Sequence, residues 1–339
     1  MNLADLTTFR VGGPARRLVT ARTEADLIAA VREADAQADP LLIVSGGSNM
    51  LVSDEGFPGT VVVVTTQGIE SRILPGTGVQ ISAAAGEMWD GLVATAVERG
   101  WSGLEMLSGI PGLVGAAPIQ NIGAYGAEAA SAIARVRVFD RHTDQVVVFQ
   151  PPDCAFGYRT SLFKHSPGRY VVLSVDLQLR TGELGSPIRY TELARHLGVE
   201  LGARVPVGEV RQAVLELRRS KGMVLDPSDH DTWSAGSFFT NPVVSPEVAA
   251  TLPPAAPRFP QADGTVKTSA AWLIDQAGFH KGYGAGPATL STKHVLALTN
   301  RGTATADDIL TLARTVRDGV RTTYGITLGP EPVLVGLAL

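Results

Sequence analysis

Residues 41–49 read LLIVSGGSN, an apolar run that ends in two glycines and two serines. Four consecutive aliphatic residues bounded by turn residues predict a buried strand. The turn after this strand offers successive main-chain N–H groups and hydroxyls, which suit a diphosphate. It lacks the G-x-G-x-x-G spacing and precedes no clear helix, so it does not indicate a Rossmann loop. Taken alone, the pattern favours a plain turn between two strands.

The segments around this turn predict a small β-α-β-turn-β subdomain over residues 1–66. Residues 16–20 are predicted to form a short strand, and residues 60–65 a second strand. Thr23 precedes the helical pattern of residues 24–36 and is a good N-cap. The first subdomain is therefore expected to be an α+β unit built around the residue 41–49 strand and turn.

A second notable stretch, residues 109–126, reads GIPGLVGAAPIQNIGAYG, with five glycines, two prolines and no charge. Small residues let a backbone approach a flat ligand closely, and Ile110 and Ile119 could pack against such a ligand. A buried glycine-rich crossover between sheets is the alternative. The composition favours a cofactor surface over an exposed loop.

The remaining segments predict two further α+β blocks. We expect strands over residues 79–85, 135–140, 145–149, 170–179 and the apolar C-terminus after Pro332. We expect helices over residues 89–99, 206–220, 268–276 and 305–323, and an exposed loop over residues 249–262. The corresponding domains are residues 67–205, joined by the C-terminal strand 325–339, and residues 206–324.

Three polar residues stand in segments that could carry chemistry. Arg159 lies among aromatic residues, and a fixed guanidinium suits a carboxylate, although a structural ion pair explains it equally well. Ser237 lies between a glycine and two phenylalanines without the G-x-S-x-G elbow, so alone it reads as a buried turn serine. Glu331 lies between two prolines before the C-terminal strand, where a surface carboxylate is the default.

Composition narrows the possible functions. The chain has 339 residues, 45% of them hydrophobic and 18% charged, with a net charge of −4, so nothing favours a nucleic-acid partner. A single cysteine, Cys154, excludes an intrachain disulfide, and no Cys/His spacing predicts a metal site. There is no signal-peptide pattern and no apolar run long enough for a membrane. We expect a cytoplasmic protein.

Taken together, these segments resemble the UDP-N-acetylenolpyruvoylglucosamine reductases (MurB), a flavoenzyme family of peptidoglycan synthesis. Three further segments match the family: TTFRVGGP at residues 7–14, KTSAAWLIDQAG at 267–278 and KHVLALTN at 293–300. The resemblance implies an α+β, two-subdomain FAD-binding fold of the vanillyl-alcohol-oxidase (PCMH) type plus an α+β substrate-binding domain. It also implies bound FAD, NADPH as co-substrate and a monomer.

The resemblance assigns roles residue by residue. The FAD diphosphate would be held by Ser45, Gly46, Gly47, Ser48 and Asn49. The flavin would be lined by Ile110, Pro111, Gly112, Gly115, Ile119 and Gly123. The catalytic set would be Arg159, Ser237 and Glu331. Substrate would be bound by Tyr158, Tyr190, Arg218, Lys221 and Asn241, with Tyr190 on a loop typical of the type I members.

The chain departs from the family pattern at three places. The family often has a third glycine where Ser45 stands, and often Lys-Leu-Pro where this chain has a glycine and a methionine after Lys221. The residues around Glu331 also differ from the family's usual ending, because prolines flank this glutamate. Two other readings remain open: another flavoenzyme of the same fold, and an inactive flavin or nucleotide-sugar binding protein. The choice of NADPH over NADH has no sequence motif of its own.

Overall fold

The computed structural model describes residues 2–76 and 78–339. Met1 and Thr77, which fall within the predicted ranges 1–66 and 67–205, lie outside the described residues. The strands are β1 Ala15–Ala21, β2 Leu41–Val44, β3 Met50–Val52, β4 Phe57–Val64, β5 Ile69–Leu74, β6 Gly78–Ala84, β7 Trp101–Ser102, β8 Gly123–Ala124, β9 Ala127–Glu128, β10 Ile133–Asp140, β11 Gln145–Phe149, β12 Tyr170–Thr181, β13 Val243–Val244, β14 Arg258–Pro260, β15 Val266–Thr268, β16 Ala288–Leu290, β17 Leu298–Asn300 and β18 Val333–Val335.

The α-helices are α1 Glu24–Ala36, α2 Trp89–Glu98, α3 Leu162–His165, α4 Thr191–Leu197, α5 Val207–Ser220, α6 Pro246–Thr251, α7 Ala270–Gln276 and α8 Ala306–Tyr324. Short 3-10 helices cover Leu3–Leu6, Glu105–Leu107, Val114–Ala116, Ala129–Ser131, Pro151–Cys154 and His230–Thr232. In the part of the chain that the structure describes, no helix combines the length and apolarity needed to cross a bilayer.

The chain forms two compact units. The larger unit comprises Ala15–Gly46 and Pro58–Ser220, and the smaller unit comprises Met1–Pro14, Gly47–Phe57 and Lys221–Leu339. These units are defined by contacts within the fold. The division into 1–66, 67–205 with 325–339, and 206–324 stays a prediction.

Besides the short hairpin β8–β9, the described residues of the larger unit form two larger sheets. One has the strand order β1-β4-β2, with β2 and β4 parallel, and the other has the order β11-β10-β12-β6-β5, with β7 beside β12. The second sheet is antiparallel and buries alternate residues of β6, namely Val79, Ile81 and Ala83. Burial of one strand face against the core explains the period-two apolar pattern. This core also includes the fully buried Trp89 at the start of α2.

The smaller unit packs short strands against α7 and α8. Its pairings are a three-stranded sheet β13-β15-β14, the hairpin β16–β17 and the parallel pair β18–β3. Its core contains Phe238 and Phe239 together with Leu273 of α7 and Ile309 and Val316 of α8. The strand expected after Pro332 is present but short: β18 covers Val333–Val335, and residues 336–339 are not in a strand.

Local signals located several elements correctly. Helix α1 begins after Thr23, whose side chain and Asp26 form a capping box, and α8 begins after Thr305 in the same way. The glycine-rich stretch 109–126 has little regular structure, as predicted: one 3-10 turn and the start of the short hairpin β8–β9.

Two boundary predictions were wrong. Helix α7 begins at Ala270 and not at Thr268, because Thr268 ends β15 and the Ser269 side chain caps the helix. The predicted loop 249–262 contains the end of α6 and all of β14. The Arg258 side chain orders this segment by donating to the carbonyls of Ala249 and Leu252.

Candidate active site

In the larger unit, the turn after β2 meets the glycine-rich segment backbone to backbone. A Cβ atom placed on Gly46 would lie 2.6 Å from the Cα atom of Gly112, so Gly46 has no room for a side chain. The Ser45 hydroxyl is buried, and no described residue lies within hydrogen-bonding distance of it. The structure thus brings together three of the predicted cofactor residues, Ser45, Gly46 and Gly112. A buried hydroxyl that makes no hydrogen bond to a described residue is typical of a site that holds a ligand.

Main-chain hydrogen bonds fix the first half of the glycine-rich segment. The N–H of Gly115 donates to the Ala85 carbonyl over 2.9 Å, and a Gly115 side chain would collide with Ala85. Ile110 is half-buried and packs on the core of the larger unit. The next residue, Pro111, is also half-buried. Ile119 is 36% exposed, and its carbonyl accepts a hydrogen bond from the Ser161 hydroxyl. The segment is therefore held rigidly with apolar side chains along it.

Asn121 ties this segment to the turn that carries Arg159. Its buried side-chain amide donates to Glu128 over 2.8 Å and to the Gly157 carbonyl over 3.0 Å, and its oxygen accepts from the Ala130 N–H. A fully satisfied buried amide specifies one arrangement of the backbones around it. Sequence reasoning missed this residue, although a polar side chain within an apolar glycine-rich run was the available signal.

Arg159 is held in a strained and fixed conformation. It has φ 54° within a tight turn closed by hydrogen bonds between Gly157 and Thr160. Its Nη2 donates to the Gly123 carbonyl over 2.7 Å, and its guanidinium carbon lies 5.6 Å from the Tyr158 ring centroid. Left-handed backbone at a non-glycine residue persists only where the surroundings enforce it, and such strain clusters at functional sites. The guanidinium is pre-oriented, as bidentate recognition of a carboxylate requires.

A second arginine, Arg218 of α5, lies within electrostatic range of Arg159. Burial lowers the pKa of Arg218 to about 10; the charge of Arg159 acts in the same direction, while Tyr125 and Asp90 oppose it. The guanidinium therefore stays charged at neutral pH. Two partly buried cations within electrostatic range of each other favour a negatively charged ligand.

Helix α5 is fixed to the glycine-rich segment through Asp90. This carboxylate accepts two hydrogen bonds from Arg211, over 2.6 and 3.0 Å, and a third from the Gly109 N–H over 2.6 Å. Burial alone would raise the pKa of Asp90, but these hydrogen bonds outweigh it and hold the pKa below its ordinary value. Asp90 stays ionised and sets the position of the helix that carries Arg218.

Tyr190 precedes α4 as its N-cap residue and is 43% exposed, so much of the side chain is covered. Its ring packs edge to face on Tyr125, with 5.5 Å between the centroids. Burial raises the pKa of Tyr125 to about 12, and burial also raises the pKa of Tyr190. Both phenols are therefore neutral at physiological pH and can donate hydrogen bonds. The loop before Tyr190 is anchored where the Ser186 N–H donates to the fully buried Glu105.

In the smaller unit, Gly47 packs directly on the N-terminal segment. It has φ +57°, and a Cβ atom on it would lie 1.7 Å from the Leu6 carbonyl oxygen. The N–H of Thr8 donates to the Gly47 carbonyl over 3.3 Å, and the Thr8 hydroxyl lies 3.4 Å from the Ser48 carbonyl. These contacts fix the second half of the predicted diphosphate loop.

The structure brings Ser237 and Glu331 onto facing backbone segments. The Glu331 N–H donates to the Phe238 carbonyl over 2.8 Å, and Phe239 bridges Pro330 in antiparallel fashion. The Asn49 side chain donates to the Glu331 carbonyl over 3.3 Å. Hydrogen bonds thus connect the segments that carry Asn49, Ser237 and Glu331. These three residues are far apart in sequence and were assigned to one site.

Asn241 and Lys221 belong to the same unit, and their roles toward substrate stay predictions. The Asn241 side-chain oxygen accepts from the Ala270 N–H over 2.9 Å, at the start of α7, which leaves its amide nitrogen as the group able to face a ligand. Lys221 is half-buried and precedes Gly222, which packs against Asp231.

Comparison with family models defines the class of protein. Residues 15–149 match the model of an FAD-binding domain, and residues 226–335 match the C-terminal domain of UDP-N-acetylenolpyruvoylglucosamine reductase. The first match covers the turn after β2 and the glycine-rich segment. The chain is a flavoprotein with an FAD-binding domain, and the predicted α+β FAD-binding fold is confirmed.

Full-length relatives identify the family. The chain is 57% identical to a UDP-N-acetylenolpyruvoylglucosamine reductase from Cutibacterium acnes and 56% identical to one from Streptomyces coelicolor, covering 99% of this chain and 90% of each relative. The crystal structure of MurB from Thermus caldophilus matches 99% of this chain and 97% of that one with a TM-score of 0.68 and 30% identity. The chain belongs to the UDP-N-acetylenolpyruvoylglucosamine reductase (MurB) family.

The residues present fit FAD. The buried hydroxyl of Ser45, which makes no hydrogen bond to a described residue, can donate to a phosphate oxygen, and the close approach of Gly46 to Gly112 leaves no side chain between the two backbone segments. FAD would therefore be held by the turn after β2 and by the glycine-rich segment.

Substitution of Gly46 by alanine should weaken FAD binding, because the new Cβ atom would force the turn away from Gly112. We expect at least a roughly tenfold rise in the FAD Kd, from a displacement on the order of 1 Å. The measurement is titration of the apoprotein followed by flavin fluorescence.

The matched control is Gly91→Ala on α2, where the nearest atom to the added Cβ is the Met88 Cβ at an ordinary 3.6 Å. This variant should bind FAD as the wild type does. Equal FAD affinity of all three proteins would contradict the assignment of Gly46 to the cofactor cradle.

Proposed function

We propose that this chain catalyses the NADPH-dependent reduction of UDP-N-acetylglucosamine enolpyruvate to UDP-N-acetylmuramate. The observation that carries the proposal is the backbone pairing that holds Ser237 beside Glu331, in a chain whose relatives bear the name of this reductase. The reaction adds a hydride to the terminal vinyl carbon and a proton to the neighbouring carbon. When bound, FAD would supply the hydride after accepting it from the nicotinamide.

Stabilisation of the developing charge is the role we assign to Arg159. Hydride addition leaves negative charge on the alpha carbon, which spreads into the carboxylate as an enolate. A pre-oriented cation on that carboxylate stabilises the transition state more than the ground state. The fixed guanidinium of Arg159, with the buried cation of Arg218 nearby, supports this role. Arg218 would neutralise the same carboxylate.

Ser237 is the proton donor in this proposal. Serine is a weak acid in water, but an enolate carbon is basic, and positioning can contribute several orders of magnitude. The backbone frame around Phe238 supports a fixed serine. Glu331 can assist only as a hydrogen-bond donor, so we propose that its carboxyl is protonated when substrate is bound. Lys221 or a water molecule would compensate the charge left on Ser237.

The nucleotide sugar would be held by the remaining predicted residues. The neutral phenol of Tyr190 can donate to the UDP diphosphate, and the Asn241 amide and Lys221 can contact the sugar and phosphates. Tyr158 would pack beside the substrate carboxylate that Arg159 binds. We further propose a monomer that works in the cytoplasm on small molecules alone, without a nucleic-acid or membrane partner.

Steady-state turnover tests the substrate and the co-substrate together. The purified holoprotein, kept anaerobic, should oxidise more than one equivalent of NADPH per flavin only when UDP-N-acetylglucosamine enolpyruvate is added, and the product should be UDP-N-acetylmuramate by mass spectrometry. UDP-N-acetylglucosamine, which lacks the vinyl group, is the control and should give no oxidation beyond that first equivalent. Turnover with a small alcohol instead would favour another flavoenzyme of this fold, and no turnover with any substrate would favour an inactive binding protein.

Replacement of Ser237 by alanine should separate the two half-reactions. Flavin reduction by NADPH needs no proton from this serine and should stay within about threefold of the wild type. Flavin reoxidation by substrate should slow by at least about a thousandfold, because proton transfer loses its donor. Anaerobic stopped-flow absorbance of the flavin measures both rates. Equal slowing of the two half-reactions, or slowing of neither, would overturn the assignment.

Replacement of Arg159 by lysine keeps the charge but removes the planar fork. We expect reoxidation by substrate to slow about a hundredfold, since a single ammonium cannot reproduce the fixed bidentate contact. The control is Arg169→Lys, which alters the bidentate pair with Asp140 in the same unit. That variant should leave the ratio of the two half-reaction rates unchanged. A control as impaired as Arg159→Lys would show that the effect is structural.

A further inference from the structure

Thr8 has a contact that connects it to the proton-donor turn. Its side chain is 7% exposed, and its hydroxyl donates to the Ser234 carbonyl over 2.6 Å. Ser234 lies three residues before Ser237, and its own hydroxyl accepts from the Gly236 N–H over 3.1 Å. The hydroxyl of Thr8 therefore fixes the start of the turn that presents Ser237.

The same residue contacts the diphosphate loop from its other side. Its N–H donates to the Gly47 carbonyl over 3.3 Å, and its hydroxyl oxygen is 3.4 Å from the Ser48 carbonyl. A hydroxyl has one hydrogen, so the much shorter contact to Ser234 is the bond it makes. Because Gly47 leaves no space between the loop and Leu6, any shift of the loop moves the Thr8 segment.

These contacts close a ring around Ser237. Ser48 is followed by Asn49, whose side chain donates to the Glu331 carbonyl, and the Glu331 N–H donates to the Phe238 carbonyl. Phe238 follows Ser237 directly, and Thr8 completes the ring through Ser234 and Gly47. The ring joins residues 8, 47–49, 234–238 and 331 of the smaller unit.

We propose that Thr8 is a positioning residue for proton delivery: its buried hydroxyl holds the Ser237 turn in register with the loop that carries the FAD diphosphate. The inference rests on the proposed function, because it concerns the proton that Ser237 gives to the substrate. Thr8 itself touches no reacting atom. It acts by limiting the displacement of Ser237, where about 1 Å of error can cost about a hundredfold in rate.

The test is Thr8→Val, which keeps the shape of threonine and removes the hydroxyl. We expect flavin reoxidation by UDP-N-acetylglucosamine enolpyruvate to slow roughly tenfold to a hundredfold, while reduction by NADPH stays within about threefold. Thr8→Ser keeps the hydroxyl and should recover reoxidation to within about threefold of the wild type. A residue needed only for folding would not separate the half-reactions in this way.

Thr7→Val is the matched control, because Thr7 is 8% exposed and its hydroxyl donates within its own segment, to the Val11 carbonyl over 3.0 Å. It should leave the ratio of the two half-reaction rates unchanged. If Thr8→Val does not fold, the pair Thr8→Ala and Thr8→Ser isolates the same hydroxyl in the absence of the methyl group.

Normal reoxidation of Thr8→Val, or equal effects of the Thr7 and Thr8 variants, would overturn the inference alone. Failure of the wild-type flavin to be reoxidised by the substrate would overturn the proposed function and the inference with it.

Discussion

The hydrogen bond from the Glu331 N–H to the Phe238 carbonyl sets the geometry of the smaller unit around its two assigned catalytic residues. A backbone pairing of this kind leaves little freedom, because a one-residue slip would turn every side chain to the opposite face. Further along the chain, β18 pairs in parallel with β3, with Val333 opposite Met50. The backbone pairing therefore extends to the segment that follows the diphosphate loop. The same backbone pairing therefore fixes the positions of Ser237, Glu331 and Asn49 together.

In the larger unit the corresponding constraint is the burial of positive charge. Keeping Arg218 charged within electrostatic range of Arg159 costs stability, as the lowered pKa of Arg218 reflects. The fold holds them by specific contacts: Arg159 by the Gly123 carbonyl and a strained turn, and α5 by the bidentate pair between Arg211 and Asp90. An arrangement that is unfavourable alone becomes favourable when a carboxylate or diphosphate binds.

Much of the fold was predictable because its signals are local. The capping box at Thr23, the apolar run of β2 and the aperiodic glycine-rich segment each identify themselves within about a dozen residues. The boundary at Thr268 was not predictable, since a helical pattern and the end of β15 overlap there and only the pairing with Arg258 decides between them. The composition of the glycine-rich segment alone also predicts a cofactor surface.

The candidate site could be assembled only through the resemblance. Asn49 and Glu331 lie 282 positions apart, and no periodicity of the sequence predicts a hydrogen bond across that separation. Thr8 appeared in the sequence as part of a matching segment without a role, because a threonine hydroxyl directed to the Ser234 carbonyl has no sequence signature. Long-range polar contacts of buried side chains could therefore not be predicted from this sequence.

The most direct test of the account is an anaerobic flavin titration of the wild-type holoprotein. One equivalent of NADPH should bleach the flavin absorbance, and one equivalent of UDP-N-acetylglucosamine enolpyruvate should then restore it with formation of UDP-N-acetylmuramate. Bleaching without recovery would contradict the proposed substrate and the roles given to Arg159 and Ser237. A protein that takes up no FAD would contradict the account at its foundation.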